Sequence, residues 1–282
     1  MRSATIHLLA AIIGSVGWCL SPSEASADMS AWDGDTRAAM RLVSAGRKAE
    51  DPQSQLRAGA EIRLAPGWKT YWRYPGDSGI PPQFDFAKSE NVKSVQVSWP
   101  APERIVSADG VIIGYRDNVL FPLRVEAKDP NKPVTLRIAL DYAICEKVCI
   151  PVHAKAELVI KNDGAAKSEI IAAEKRVPRA VPFGADAPFS VKKFHRDASV
   201  KPARVLVDIV APKGSPISLF AEGPTADWAL PIPEKVDGAP DGTQRFAFAL
   251  DGLPPGTTGD GATIKLTAIA GDDAIETTFR LD

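Results

Sequence analysis

Cysteine is scarce in this chain: 282 residues hold three, alongside three histidines and three methionines. Charge of one sign is not in excess either. The formal net charge is -1 with both signs interspersed, which gives no electrostatic reason to expect nucleic acid or an anionic membrane surface as partner. Beyond the N-terminus no apolar run approaches the roughly 18 to 20 residues that span a bilayer. A phosphate-binding glycine loop, a metalloprotease helix motif and a defensible internal repeat are also missing. What the chain has instead is punctuation: 24 prolines and 21 glycines, as many short strands require. At this length the expectation is two mostly β domains.

The N-terminus reads as a secretory signal. Arg2 precedes an apolar run at residues 6–20 and then Ala25-Ser26-Ala27, with cleavage expected after Ala27 and export to the periplasm. A lipoprotein signal at Cys19 would want a small residue where Trp18 stands. The exported chain then keeps two cysteines, Cys145 and Cys149, and in an oxidising compartment these are expected to form a disulfide.

Strand patterns fall at residues 55–64, 92–99, 120–126, 134–144 and 154–160. They are separated by turn chemistry such as Pro66-Gly67, Pro75-Gly76-Asp77-Ser78-Gly79 and Asp129-Pro130-Asn131, with Asp77 read as a turn residue. A short helix is expected within 35–45. This spacing suggests a sandwich of two antiparallel sheets over residues 28–160. Residues 161–188 break the pattern with Asn162-Asp163-Gly164, a helix at 168–176 capped by Ser168, and Pro178, Pro182 and Pro188; they read as a linker. Further strands at 203–210, 217–222, 244–250, 264–269 and 275–281 make 189–282 a second, cysteine-free β domain.

The stretch 141–153 is the centre of interest. Leu136, Ile138, Leu140, Tyr142 and Ile144 share one face of a period-two pattern, so Arg137, Asp141 and Cys145 fall on the other, wetter face. After Pro151 the alternation resumes, which makes the segment a hairpin with the cysteines at its neck. Three readings compete. As a staple, a link closing so short a loop contributes only roughly 2 kcal/mol by loop entropy, against about 3 for a 15-residue loop. As a metal site, Cys145, Cys149 and His153 at equal spacing form a soft ligand set for Cu(I), whereas zinc would need a fourth ligand. As a redox centre, opposed cross-strand cysteines normally hold their Cβ atoms about 4.5 to 5.5 Å apart, farther than the roughly 3.5 to 4.5 Å of a relaxed disulfide. The strain this implies favours a labile, exchangeable bond. Lys147 would favour a thiolate and Glu146 would oppose it.

Several ordered motifs carry a family resemblance: residues 67–82 (GWKTYWRYPGDSGIPP), 99–103 (WPAPE), 113–117 (IGYRD) and 142–151 (YAICEKVCIP). Together they resemble the N-terminal periplasmic domain of the thiol-disulfide reductase DsbD, and more closely its copper-tolerance relative ScsB. The resemblance implies an immunoglobulin-like sandwich with no organic cofactor and a redox-active Cys145–Cys149 pair. It implies that Cys149 attacks the partner disulfide and Cys145 resolves the mixed species. The implied partners are a membrane thiol reductase as electron donor, expected here as a separate protein, and a periplasmic thioredoxin-like acceptor. The family's cap loop corresponds to residues 106–112, which lack its shielding aromatic and leave Val111 or Ile112 for that part, beside Tyr115. Trp68, Tyr71, Trp72 and Tyr74 are either a partner-docking surface or core and turn packing. Two readings of another class stay open: a copper-binding or chaperone-like module, or a sandwich with a purely structural disulfide.

Overall fold

The computed structural model describes residues 28–46, 55–74, 79–107, 110–160, 168–212 and 214–282. The expected signal segment, the Asp77 turn and the first part of the expected linker lie outside the described residues. Eleven strands come first: β1 (Asp33–Gly34), β2 (Ala38–Gly46), β3 (Leu56–Leu64), β4 (Lys69–Tyr71), β5 (Gln83–Asp85), β6 (Val92–Val97), β7 (Glu103–Ser107), β8 (Gly110–Arg116), β9 (Asn118–Ala127), β10 (Val134–Cys145) and β11 (Cys149–Ile160). Helix α1 (Ser168–Lys175) follows, and then β12 (Arg179–Ala180), β13 (Ser190–Asp197), β14 (Arg204–Val210), β15 (Ile217–Glu222), β16 (Glu234–Val236), β17 (Gln244–Ala249), β18 (Thr263–Ala270) and β19 (Asp273–Arg280). The chain is mainly β, as expected. Among the described residues no helix is long and apolar enough to cross a membrane.

Two sheets make the first sandwich: β1-β2-β3-β9-β6, and β11-β10-β4-β8-β7 with β5 also paired to β10. Alternation decides what lies between them. Leu42, Leu56, Ile62, Phe121 and Leu123 from one sheet meet Ile113, Tyr115, Leu136, Leu140 and Tyr142 from the other, all buried. The second sandwich stacks β12-β19-β18-β15 on β13-β14-β17-β16 around Val205, Val207, Phe246, Phe248, Ile264, Leu266 and Phe279. At the free edge of β11, Lys155 N–H donates to the Asp33 carboxylate of β1 at 2.7 Å.

Two expectations change. Residues 35–45 do not form a helix; they supply β2, which is buried on both faces and so shows no alternation to read. At the Val43 and Ala45 end its outer face is covered by Ile170 of α1. The helix itself starts at Ser168 as expected, yet it docks on the first sandwich rather than hanging in a free linker: Glu174 accepts from Arg57 Nε at 2.9 Å, and Ala101 N–H donates to the Arg176 carbonyl at 2.8 Å.

The sandwiches also touch each other. Phe220 of β15 is buried within the first core, where its ring lies 5.8 Å from that of Trp72.

Candidate functional site

β10 and β11 pair along their whole length, from Val134↔Ile160 to Cys145↔Cys149, and the chain reverses through Glu146, Lys147 and Val148, all exposed. The hairpin expected around the cysteines is therefore present, with the pair directly opposed. Their sulfurs are bonded and their Cα atoms stand 4.1 Å apart, the close spacing of a non-hydrogen-bonded antiparallel pair.

The two sulfurs do not share one environment. Cys149 is exposed, while Cys145 is only 2% exposed. This corrects the expectation that Cys145 lies on a wetter face. The alternation is right, since Arg137 and Asp141 do face outward, but near its end β10 acquires a neighbour: β4 pairs with it through Ile144↔Thr70 and Cys145↔Lys69, and β8 pairs with β4 through Tyr71↔Gly114. Tyr71, Ala143 and Ile112 pack on Cys145 from this outer side. The close approach needs Gly114, because a Cβ there would stand 2.0 Å from the Thr70 carbonyl oxygen. Thr70 Oγ1 in turn donates to the Ala143 carbonyl at 2.9 Å, tying β4 to β10.

Tyr71 is the residue that motif reading did not assign to the cysteines. Its hydroxyl oxygen lies 2.8 Å from Cys145 Sγ and 3.2 Å from Cys149 Sγ. In the oxidised pair the phenol holds the only proton in this group. Burial pushes its pKa up, so it stays protonated at neutral pH and can donate to a thiolate at either sulfur. Only the alternation of Lys69-Thr70-Tyr71-Trp72 hinted at this, by putting Tyr71 and the core residue Trp72 on opposite faces.

The other candidates separate. Trp72 is fully buried, and Tyr115 is buried with its hydroxyl donating to the Pro100 carbonyl at 2.8 Å. Neither can dock a partner; both are core packing. The expected cap is a hairpin of β7 and β8. Ile112 faces the disulfide, whereas Val111, on the opposite face, lines a cleft with Arg104, Ile232 and Glu234. His153 is not brought to the sulfurs. It pairs in register with Asp141, Nδ1 to Oδ1 2.5 Å, and stands four extended residues beyond Cys149, about 13 Å at roughly 3.3 Å per residue. Equal spacing in sequence is thus distance along a strand, and the ligand set Cys145, Cys149 and His153 does not assemble. Among the described residues no group of three or more His, Cys, Asp or Glu side chains could hold a metal ion.

The chain resembles a solved structure, the N-terminal periplasmic domain of ScsB from Proteus mirabilis, at 18% identity with a TM-score of 0.68, covering 90% of this chain and 98% of that one. That likeness shows the fold across both sandwiches. No curated protein sequence matches. Residues 39–161, which hold nearly all of the first sandwich and both cysteines, match the family model described as thiol:disulfide interchange protein DsbD, N-terminal. That region is similar to the DsbD N-terminal domain family, and within it Cys145 and Cys149 form a disulfide.

Proposed function

We propose that this is a periplasmic protein that relays electrons by thiol-disulfide exchange, from a membrane thiol reductase to thioredoxin-like periplasmic proteins. The observation that carries the reading is the unequal exposure of the two cysteines: Cys149 is exposed, and Cys145 lies buried behind it under Tyr71 and Ile112. In the reduced pair, Cys149 thiolate attacks a partner disulfide, an S–S bond forms between the proteins, and one partner sulfur leaves as a thiolate that takes up a proton. Cys145, deprotonated in its turn, attacks Cys149 Sγ and expels the second partner sulfur. The partner gains two electrons and two protons, and the Cys145–Cys149 disulfide returns, to be reduced again by the donor. Tyr71 contributes a hydrogen bond to whichever sulfur carries the charge.

The test is covalent trapping. The Cys145→Ser chain is expected to accumulate a mixed disulfide through Cys149 with a thioredoxin-like periplasmic protein, and Cys149→Ser is expected to accumulate none. Absence of any trapped complex, together with a reduction potential below about -300 mV, would assign the bond a structural role instead.

A further inference from the structure

The three residues that follow Tyr71 all reach into the second sandwich. Trp72 packs its ring on Phe220. Arg73 donates from Nε to Glu222 Oε2 at 2.9 Å and from Nη2 to Glu222 Oε1 at 2.7 Å, and Nη2 also donates to Glu276. Tyr74 donates its hydroxyl proton to the Leu230 carbonyl at 2.8 Å. Glu222 ends β15 and Glu276 lies on β19, so one guanidinium joins two strands of the second sandwich to the end of β4. The three charged side chains are 20%, 13% and 24% exposed, and the Arg73 guanidinium also lies 4.3 Å over the Trp72 ring. A planar fork matched to a carboxylate fixes orientation as well as distance, and here the fork is largely out of water.

β4 is short, three residues, and its pairing to β10 covers only Ile144↔Thr70 and Cys145↔Lys69. On its other side β8 pairs with all three residues, and neither ladder continues past Tyr71. The Tyr71 hydroxyl must nevertheless stay 2.8 and 3.2 Å from two sulfurs, and a displacement of about 1.5 Å would carry both contacts beyond hydrogen-bond length. We propose that Arg73 is a positioning residue and the second sandwich a brace: the Arg73–Glu222–Glu276 triad holds β4 so that Tyr71 stays over both sulfurs, and the cysteine-free half thereby sets the redox behaviour of the cysteine pair. This deepens the thiol-exchange reading, from which it takes its biological sense.

A double-mutant cycle on the full chain tests it. The equilibrium of the Cys145–Cys149 pair with dithiothreitol is measured for the parent, Arg73→Met, Arg73→Lys and the paired change Glu222→Gln with Glu276→Gln, each with Tyr71 and with Tyr71→Phe. Thermal midpoints are recorded alongside. With Tyr71 present, Arg73→Met and the paired glutamine change are expected to shift the equilibrium about three- to tenfold, with Arg73→Lys in between. In the Tyr71→Phe background the same changes are expected to shift it less than about twofold. A shift of equal size in both backgrounds, or an unchanged equilibrium in a folded Arg73→Met chain, overturns the proposal. If Arg73→Met fails to fold because it leaves two carboxylates facing each other, Arg73→Lys, which keeps a positive charge between them and loses the planar fork, decides between the two outcomes. The cycle uses a small reductant and no partner protein. A coupled cycle without trapped complexes would remove the relay and keep the brace; trapped complexes with an additive cycle would do the reverse.

Discussion

The two sandwiches each contain a long hairpin beside their core, and the two hairpins are closed differently. β18 and β19 pair from Thr263↔Arg280 to Ala270↔Asp273 and reverse through two residues, of which Gly271 has φ 62°. That is the position where a type II′ turn requires glycine, and this turn's twist suits the strands it joins. β10 and β11 are longer, twelve residues each, and reverse through three exposed residues with a disulfide at the neck. The shorter hairpin shows that a glycine turn suffices to close such an element. The disulfide in the longer one is therefore poorly explained as closure and well explained as chemistry.

The comparison can be broken most decisively at the cysteines. Cys149→Ser is expected to abolish thiol-disulfide exchange with a thioredoxin-like partner while lowering stability by only about 2 kcal/mol in chemical denaturation. Gly271→Val is expected to cost a similar about 1 to 2 kcal/mol, through its positive φ, and to leave exchange untouched. Equal losses of exchange in the two variants would erase the distinction between the hairpins.

Next in size is the link between α1 and the first sandwich. Glu174→Ala strands the Arg57 guanidinium, 7% exposed, and is expected to cost about 3 kcal/mol in urea unfolding. A cost below about 1 kcal/mol would return α1 to the role of a tether.

A smaller effect comes from alkaline pH, because all four tyrosines lie in the first sandwich. Burial pushes Tyr142 up to about 12, helped by the Asp35 and Asp33 carboxylates, and burial also raises Tyr71 and Tyr115. The folded phenols hold their protons above the value of about 10 at which unfolded ones lose them, so the unfolded chain binds fewer protons in that range. Stability carried by these groups is complete below pH 10 and declines as pH rises toward 12. Unfolding followed by tyrosinate absorbance for the first sandwich and by amide hydrogen exchange of β13 to β19 for the second should show the first losing stability there and the second unaffected; joint loss would mean the halves unfold as one unit.

The smallest effect expected is Tyr142→Phe at neutral pH. Among the described residues the buried hydroxyl has no hydrogen-bond partner, so its removal should change stability by less than about 0.5 kcal/mol and soften the alkaline loss.

Strands with one wet face, such as β10, β14, β17 and β18, were legible because alternation reports burial directly. β2 was not, since the Val43 and Ala45 end of its outer face is buried by Ile170, a residue more than a hundred positions away. The same cause hid the asymmetry of the cysteines: local pattern places Cys145 outward correctly and says nothing of β4 arriving there. Tyr71 lies 74 residues from Cys145, and only the fold makes them neighbours. The ligand set Cys145, Cys149 and His153 does not assemble for the opposite reason: equal spacing in sequence is not proximity, because an extended strand lays its residues out in line.

The edge formed by β11 has a further consequence, for self-association. Since Cys145 and Cys149 form the close, non-hydrogen-bonded type of pair, the N–H groups at 149, 151, 153, 155 and 157 point away from β10. Position 151 is proline, which has no N–H, and the N–H of Lys155 is occupied by Asp33. A free edge beside a reactive sulfur would invite another copy of the chain to add a strand and then cross-link. Here the edge offers a broken ladder, so a molecule approaching Cys149 meets a sulfur and side chains rather than a template for β-aggregation.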